Sequence, residues 1–252
     1  MRTLILLPGL ACDAELWRHQ RAALAAASGV AVLVADVQHR ADSLPAMAEL
    51  LLAEQPGELL LAGCSMGGMV ALEACRQAPD RVRGLALLGT TARADSAEMK
   101  ALRGQAIVLF EQGRADEVLR ANLVFAFHPS HAARLQRDYL AMVLRAGSAA
   151  LVRQNRAVMA RTDQRAMLPA LRCPTLVVTG LADPLTPPEH AREMAAAIAD
   201  ARLELLTDCG HMLTWEQPDA VTALLGDWLQ AVAAGGWPAA TVAPVPEQPA
   251  PP

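Results

Sequence analysis

Gly63-Cys64-Ser65-Met66-Gly67 sets a serine midway between two glycines. The pentapeptide alone recurs by chance; its setting gives it meaning. An apolar run at 59–62 leads into it, and a helical pattern beginning at Met66 leads out. A serine at the apex of so sharp a strand-to-helix turn must hold a strained backbone and project its hydroxyl. Glycines are needed where a Cβ would collide as strand and helix close together. A phosphate-binding loop would want Gly-Lys-Ser or Gly-Lys-Thr, and the chain's only lysine is Lys100. Ser65 is therefore read as a nucleophile, with the positive end of the following helix directed at any anion formed there.

A serine hydroxyl attacks only when a base removes its proton. Among the 6 histidines, His211 is best placed, on the loop Thr207-Asp208-Cys209-Gly210-His211 after the last expected strand. His19 lies in a helical pattern, His39 on an early loop, and His190 on a helix's first turn. His128 and His131 form His-Pro-Ser-His with no third metal ligand nearby, so they are read as surface or pocket-lining residues.

The base in turn needs an acid to hold its tautomer. Asp183, in Gly180-Leu-Ala-Asp183-Pro, follows a strand's carboxyl end and falls between Ser65 and His211 in the chain. The rival Asp208 is expected to cap its own turn. The oxyanion of a tetrahedral intermediate would be met by the backbone N–H of Met66 and by that of Leu10, on the loop Leu7-Pro8-Gly9-Leu10-Ala11. Gly9 is expected to permit that loop's unusual turn.

The elements that must position these residues are legible as continuous apolar runs at 4–7, 30–35, 59–62, 85–88, 175–179 and 203–206. Such runs suit parallel strands covered on both faces. Helical patterns lie between them. Asp13 is expected to cap one running through Leu16, Trp17 and Leu24; Thr186-Pro187-Pro188-Glu189 reads as an N-cap, N1 proline and capping-box glutamate. The fold class is α/β: a doubly wound, mostly parallel sheet of about six strands. Between 92 and 165 only helical patterns occur, at 95–112, 115–125, 130–145 and 149–160. A helical insertion after the fourth strand hangs over the ligand crevice and is expected to form a cap. The core is then 1–91 with 166–234, the cap 92–165, and 235–252, rich in proline and alanine, a disordered tail.

Composition sets limits. In 252 residues, 22 Lys and Arg against 26 Asp and Glu leave a net charge of −4, which argues against nucleic acid or an anionic membrane as partner. The 53% hydrophobic content is too high for disorder, yet no apolar stretch approaches the ~18 residues of a membrane span. Residues 1–12 resemble a lipoprotein signal, but the apolar core is short and Pro8-Gly9 ends it. The 5 scattered cysteines contain no Cys-x-x-Cys pair, which fits reduced thiols in a cytoplasm.

Gly-Cys-Ser-Met-Gly-Gly at 63–68, Gly-Leu-Ala-Asp-Pro at 180–184 and Cys-Gly-His at 209–211 together resemble the α/β-hydrolase family, most nearly its short capped carboxylesterases, enol-lactonases and lyases. The resemblance spans residues 1 to about 232. It departs from the family pattern at Pro8-Gly9, where His-Gly is common, and in lacking the antiparallel pair that often precedes the first strand. It implies a hydrolase acting on a small or medium carboxylic ester or lactone through Ser65, His211 and Asp183, with no metal or organic cofactor. The same three residues also serve carbon–carbon cleavage or lyase chemistry, and a non-catalytic ligand-binding module is a third reading. Ile107, Phe110, Phe125, Phe127, Met142 and Met159 give the insertion an apolar interior, while Arg145, Arg153 and Arg156 are expected on solvated faces.

Overall fold

The computed structural model describes residues 2–238. Strand and helix alternate through β1 (Arg2–Leu7), α1 (Arg21–Ser28), β2 (Ala31–Val34), α2 (Leu44–Glu54), β3 (Glu58–Cys64), α3 (Met66–Gln77) and β4 (Val82–Leu88). Helices alone follow: α4 (Ala97–Glu111), α5 (Ala115–Ala121), α6 (Leu123–Ala126), α7 (Pro129–Arg145) and α8 (Gly147–Met159). The alternation resumes with β5 (Thr175–Gly180), α9 (Pro188–Ala197), β6 (Ala201–Leu206), α10 (Leu213–Glu216) and α11 (Pro218–Ala234).

All the pairings are parallel, in the order β2-β1-β3-β4-β5-β6. Leu and Val side chains alternate between two cores. Leu4, Leu6, Leu60 and Val178 pack with Leu24 of α1 and with Leu225 and Trp228 of α11. Ile5, Leu7, Leu61 and Val177 pack instead with Met47 of α2, Val70 of α3 and Met194 of α9. Helices therefore cover both faces, which is why the inner strands read as unbroken apolar runs. β2 lies at an edge, and its Leu33 is 41% exposed.

The chain winds outward from β1 in both directions, so the strand order reverses between β1 and β3. At such a point the loops leaving neighbouring strands part and open a crevice at their carboxyl ends. The loops after β1 and β3 carry Leu10 and Ser65.

Expectations for the first helix and for the tail need correction. The helix through Leu16, Trp17 and Leu24 is split into a 3-10 turn, Ala14–Trp17, and α1. Asp13 caps the turn, accepting from the Glu15 N–H at 2.9 Å. The break falls just before Gln20, which is the N-cap of α1 and accepts the Leu24 N–H at 2.9 Å, while its buried side chain donates to the carbonyls of Thr214 and Pro218 at 3.1 and 3.3 Å. The proposed tail also begins too early. Gly235 ends α11 in a left-handed conformation, and the Trp237 indole donates to the Thr175 carbonyl at 3.0 Å. Residues 239–252 of that segment lie outside the described residues.

Candidate active site

Ser65 occupies the tight turn between β3 and α3 with φ 53°. A non-glycine residue there is strained by ~1–3 kcal/mol, and the surroundings must hold it. Its N–H donates to the Leu88 carbonyl at 2.9 Å, and its carbonyl accepts the Thr90 hydroxyl at 2.6 Å. A Cβ at Gly63 would run into the Gly67 backbone, one at Gly67 into the Leu7 carbonyl oxygen, and one at Gly68 into Thr90. Strand, helix and the end of β1 thus meet around Ser65 at backbone contact.

The imidazole of His211 is hydrogen-bonded on both nitrogens. Nε2 lies 3.0 Å from Ser65 Oγ, and Nδ1 lies 2.8 Å from Asp183 Oδ2. His211 is 7% exposed and Asp183 3%. Burial would push the Asp183 carboxyl up, but the neighbouring imidazole and the hydrogen bonds from Thr186 bring it below its ordinary value. Burial likewise opposes the imidazolium, yet the facing Asp183 carboxylate raises His211 above an ordinary imidazole. Asp208 stands apart: its side chain is 82% exposed and approaches His128 Nε2 only at 4.0 Å.

Three supports were not legible in the sequence. Thr186 is not the N-cap of α9; that position is Pro187. Its hydroxyl donates instead to Asp183 Oδ2 at 2.7 Å, and its N–H and that of Leu185 donate to Oδ1 at 3.0 and 2.9 Å. A buried carboxylate outcompeted the helix end for the hydroxyl. Glu216, 3% exposed, accepts the N–H groups of Gly210, Met212 and His128 at 3.0, 3.1 and 2.8 Å, and so braces His211 on both sides. Burial raises its carboxyl above the ordinary value. A lone acid in the apolar run Met-Leu-Thr-Trp-Glu was the available signal. The third, Gln154, holds the loop of Leu10.

That loop presses against Ser65. A Cβ on Gly9 would come within 3.3 Å of Ser65 Cβ. The left-handed residue is Ala11, φ 61°, not Gly9; the glycine is required for the close approach rather than for its dihedral freedom. Neither the Leu10 nor the Met66 amide donates to another described residue.

The inserted helices reach the same rim. Ala126 accepts from the Met212 N–H at 3.0 Å, and Gly210 packs against the backbone of Phe127 and His128. Ile107, Phe110, Phe127 and Met142 are buried, whereas Phe125 is 44% exposed. Arg145, Arg153 and Arg156 are occupied by Asp13, the His39 carbonyl and Glu111 at 2.8, 2.7 and 2.7 Å. A separate open cavity of ≈ 770 Å³ lies between α4 and α8, lined by Phe110, Glu111, Val152 and Arg153 among others but not by Ser65 or His211. His131 Nε2 is 3.1 Å from the Asp208 carbonyl, and His128 Nδ1 is 2.6 Å from the Ser130 hydroxyl. Among the described residues no cluster of three metal-ligating side chains occurs, no helix is long and apolar enough to cross a membrane, and the 5 cysteines are unpaired.

A model described as the alpha/beta hydrolase family matches residues 4–224. The chain is 30% identical to a pimeloyl-[acyl-carrier protein] methyl ester esterase of Aromatoleum aromaticum, over 75% of this chain and 80% of that one. It is 32% identical over 71% of its length to part of the polyketide synthase ThaQ of Burkholderia thailandensis, but spans only 9% of that protein. Among solved structures, a thermophilic esterase from Thermogutta terrifontis superposes with TM-score 0.83 at 27% identity, covering 92% of this chain and 90% of that one. The enol-lactonase of Burkholderia xenovorans LB400 does so with TM-score 0.80 at 26% identity, covering 91% of each.

Proposed function

The chain belongs to the α/β hydrolase family and is a hydrolase, and from that premise we propose that it cleaves a carboxylic ester or lactone through a serine acyl-enzyme. The observation that carries this reading is the imidazole hydrogen-bonded between Ser65 Oγ and Asp183 Oδ2. His211 takes the Ser65 proton as Oγ bonds to the carbonyl carbon, and the carbonyl π electrons move onto its oxygen. The N–H groups of Leu10 and Met66 receive that oxyanion, at the end of α3 where the helix dipole also favours negative charge. When the intermediate collapses, His211 returns the proton to the leaving alkoxide. Water, deprotonated by the same imidazole, then releases the acid.

Asp183 keeps the imidazole in the tautomer that presents a bare Nε2 and stabilises the imidazolium. The inserted helices, 92–165, act as a cap whose apolar interior takes the acyl or alcohol portion. A small or medium ester or lactone suits it. The names of the Aromatoleum aromaticum esterase and the Burkholderia xenovorans enol-lactonase support both substrate forms.

The test is a panel of p-nitrophenyl esters of graded chain length, run beside five- and six-membered lactones. The wild type should turn over members of one series, and Ser65→Ala should lose at least ~10⁴-fold in kcat, because the three residues act as a unit. Equal rates in the two proteins would place the nucleophile elsewhere.

A further inference from the structure

The loop after β1 is held in an unfavourable shape. Ala11 sits at φ 61°, a left-handed conformation that costs an L-residue roughly 1–2 kcal/mol. Such a residue persists only where its surroundings over-determine it. Its N–H donates to Gln154 Oε1 at 2.7 Å, across 143 residues of sequence. Gln154 is 0% exposed and stands on α8 within the insertion. Its Nε2 donates to the Gln38 carbonyl at 2.9 Å, and the Gln38 side chain donates to the Cys12 carbonyl at 3.1 Å. Two buried glutamines, from the insertion and from the loop after β2, therefore fix Ala11 and Cys12 together.

A carboxamide this deep is costly unless both ends are paired, by ~1–3 kcal/mol per unmatched group. Simple helix packing gives no reason for one on the inward face of α8. The peptide it grips joins Leu10 to Ala11, and the Leu10 carbonyl of that peptide also accepts the Cys12 thiol at 3.4 Å. The preceding peptide, which carries the Leu10 N–H, is held at its Gly9 carbonyl by the Cys12 N–H at 3.1 Å, so both planes flanking Leu10 are tied and its backbone cannot rotate freely.

We propose that Gln154 is a positioning residue for the oxyanion hole. Its carboxamide sets the Leu10 N–H before substrate arrives, so the hole is complete only when α8 is seated on the core. This rests on the serine-hydrolase reading above, and it ties the cap to transition-state stabilisation rather than to substrate fit alone.

The discriminating variant is Gln154→Met, close in length but unable to accept the Ala11 N–H. For a p-nitrophenyl ester, kcat should fall by about 10–100-fold, part of the ~10²–10³ that losing an oxyanion donor costs, with KM changed less than about twofold. Phenylboronic acid gives a second readout. Ser65 Oγ bonds to boron, the hydroxyl proton passes to His211, and the resulting tetrahedral anion occupies the hole. Its inhibition constant should weaken by the same factor, while the pH midpoint of kcat/KM stays put because the His211–Asp183 pair is untouched. Asn155→Leu is the control: it is buried on the same helix and bonded to Arg103 and the Leu151 carbonyl, not to the loop.

Unchanged kcat and boronate affinity in Gln154→Met would overturn the proposal. So would an equal loss of both in Asn155→Leu, which would make the effect one of helix packing. If Gln154→Met does not fold, Gln38→Met carries the test from the other side of the brace, with a several-fold fall in kcat at constant KM expected and no change contradicting it. A wild type that neither hydrolyses esters nor binds boronate would instead remove the underlying serine-hydrolase reading.

Discussion

At Ser65 a hydroxyl, an imidazole and a carboxylate stand in one line of hydrogen bonds, so the proton on any one of them depends on the others. As the proposed base, His211 must be neutral to act. Burial disfavours the imidazolium of His211, but the Asp183 carboxylate outweighs that and raises it. Protonation therefore sets in at a pH higher than for a free imidazole. The expected consequence is that kcat/KM climbs with pH on an apparent pKa above the ordinary imidazole value of ~6.5. A profile already flat at pH 6 would contradict the coupling. The three residues were legible because each follows a recognisable apolar run. Their supports were not: Thr186 looked like a helix cap because its hydroxyl's partner, Asp183, becomes a partner only once the loop folds, and the lone acid Glu216 in its apolar run signals burial without saying which N–H groups it will meet.

The elements matter through how closely they approach. β3, α3 and the end of β1 meet at glycine because no side chain fits between them. Gly67→Ala would drive a methyl into the Leu7 carbonyl and should destabilise the fold by about 3 kcal/mol or prevent folding. Gly104, inside α4, has nothing within 4 Å of an added Cβ. Gly104→Ala should therefore stabilise by ~0.5–1 kcal/mol through helix propensity and a less flexible unfolded chain. Urea unfolding of both variants checks the pair; equal effects would mean that the backbone approach at Gly67 is looser than described. The strands were readable as apolar runs because helices cover both faces of the sheet. The contacts of the inserted helices with the rim were not, since Gln154 meets Ala11, and Ala126 meets Met212, across 143 and 86 residues and outside any periodic pattern.

The whole molecule is a parallel sheet whose carboxyl edge carries the site, while its far end is closed by the chain leaving α11. There the Trp237 N–H meets Asp200 Oδ1 at 3.4 Å, its indole donates to Thr175, and the Arg202 guanidinium lies 5.2 Å from the ring centre. Composition alone pointed to a tail starting at 235, because proline and alanine outweighed one tryptophan; the ring's packing against the core decides otherwise. Trp237→Ala should cost about 1–3 kcal/mol of stability, read as a lower denaturant midpoint, with kcat unchanged because the candidate site lies at the opposite edge. An unaltered midpoint would mean that the indole contributes nothing there. The proposed chemistry turns on Ser65 being activated by His211. Its most direct test is fluorophosphonate labelling of the native protein followed by peptide mass spectrometry. The expected result is one adduct, on Ser65, formed fast in the wild type and orders of magnitude more slowly in His211→Ala. An adduct on another residue, none at all, or labelling at an equal rate without the imidazole would contradict it.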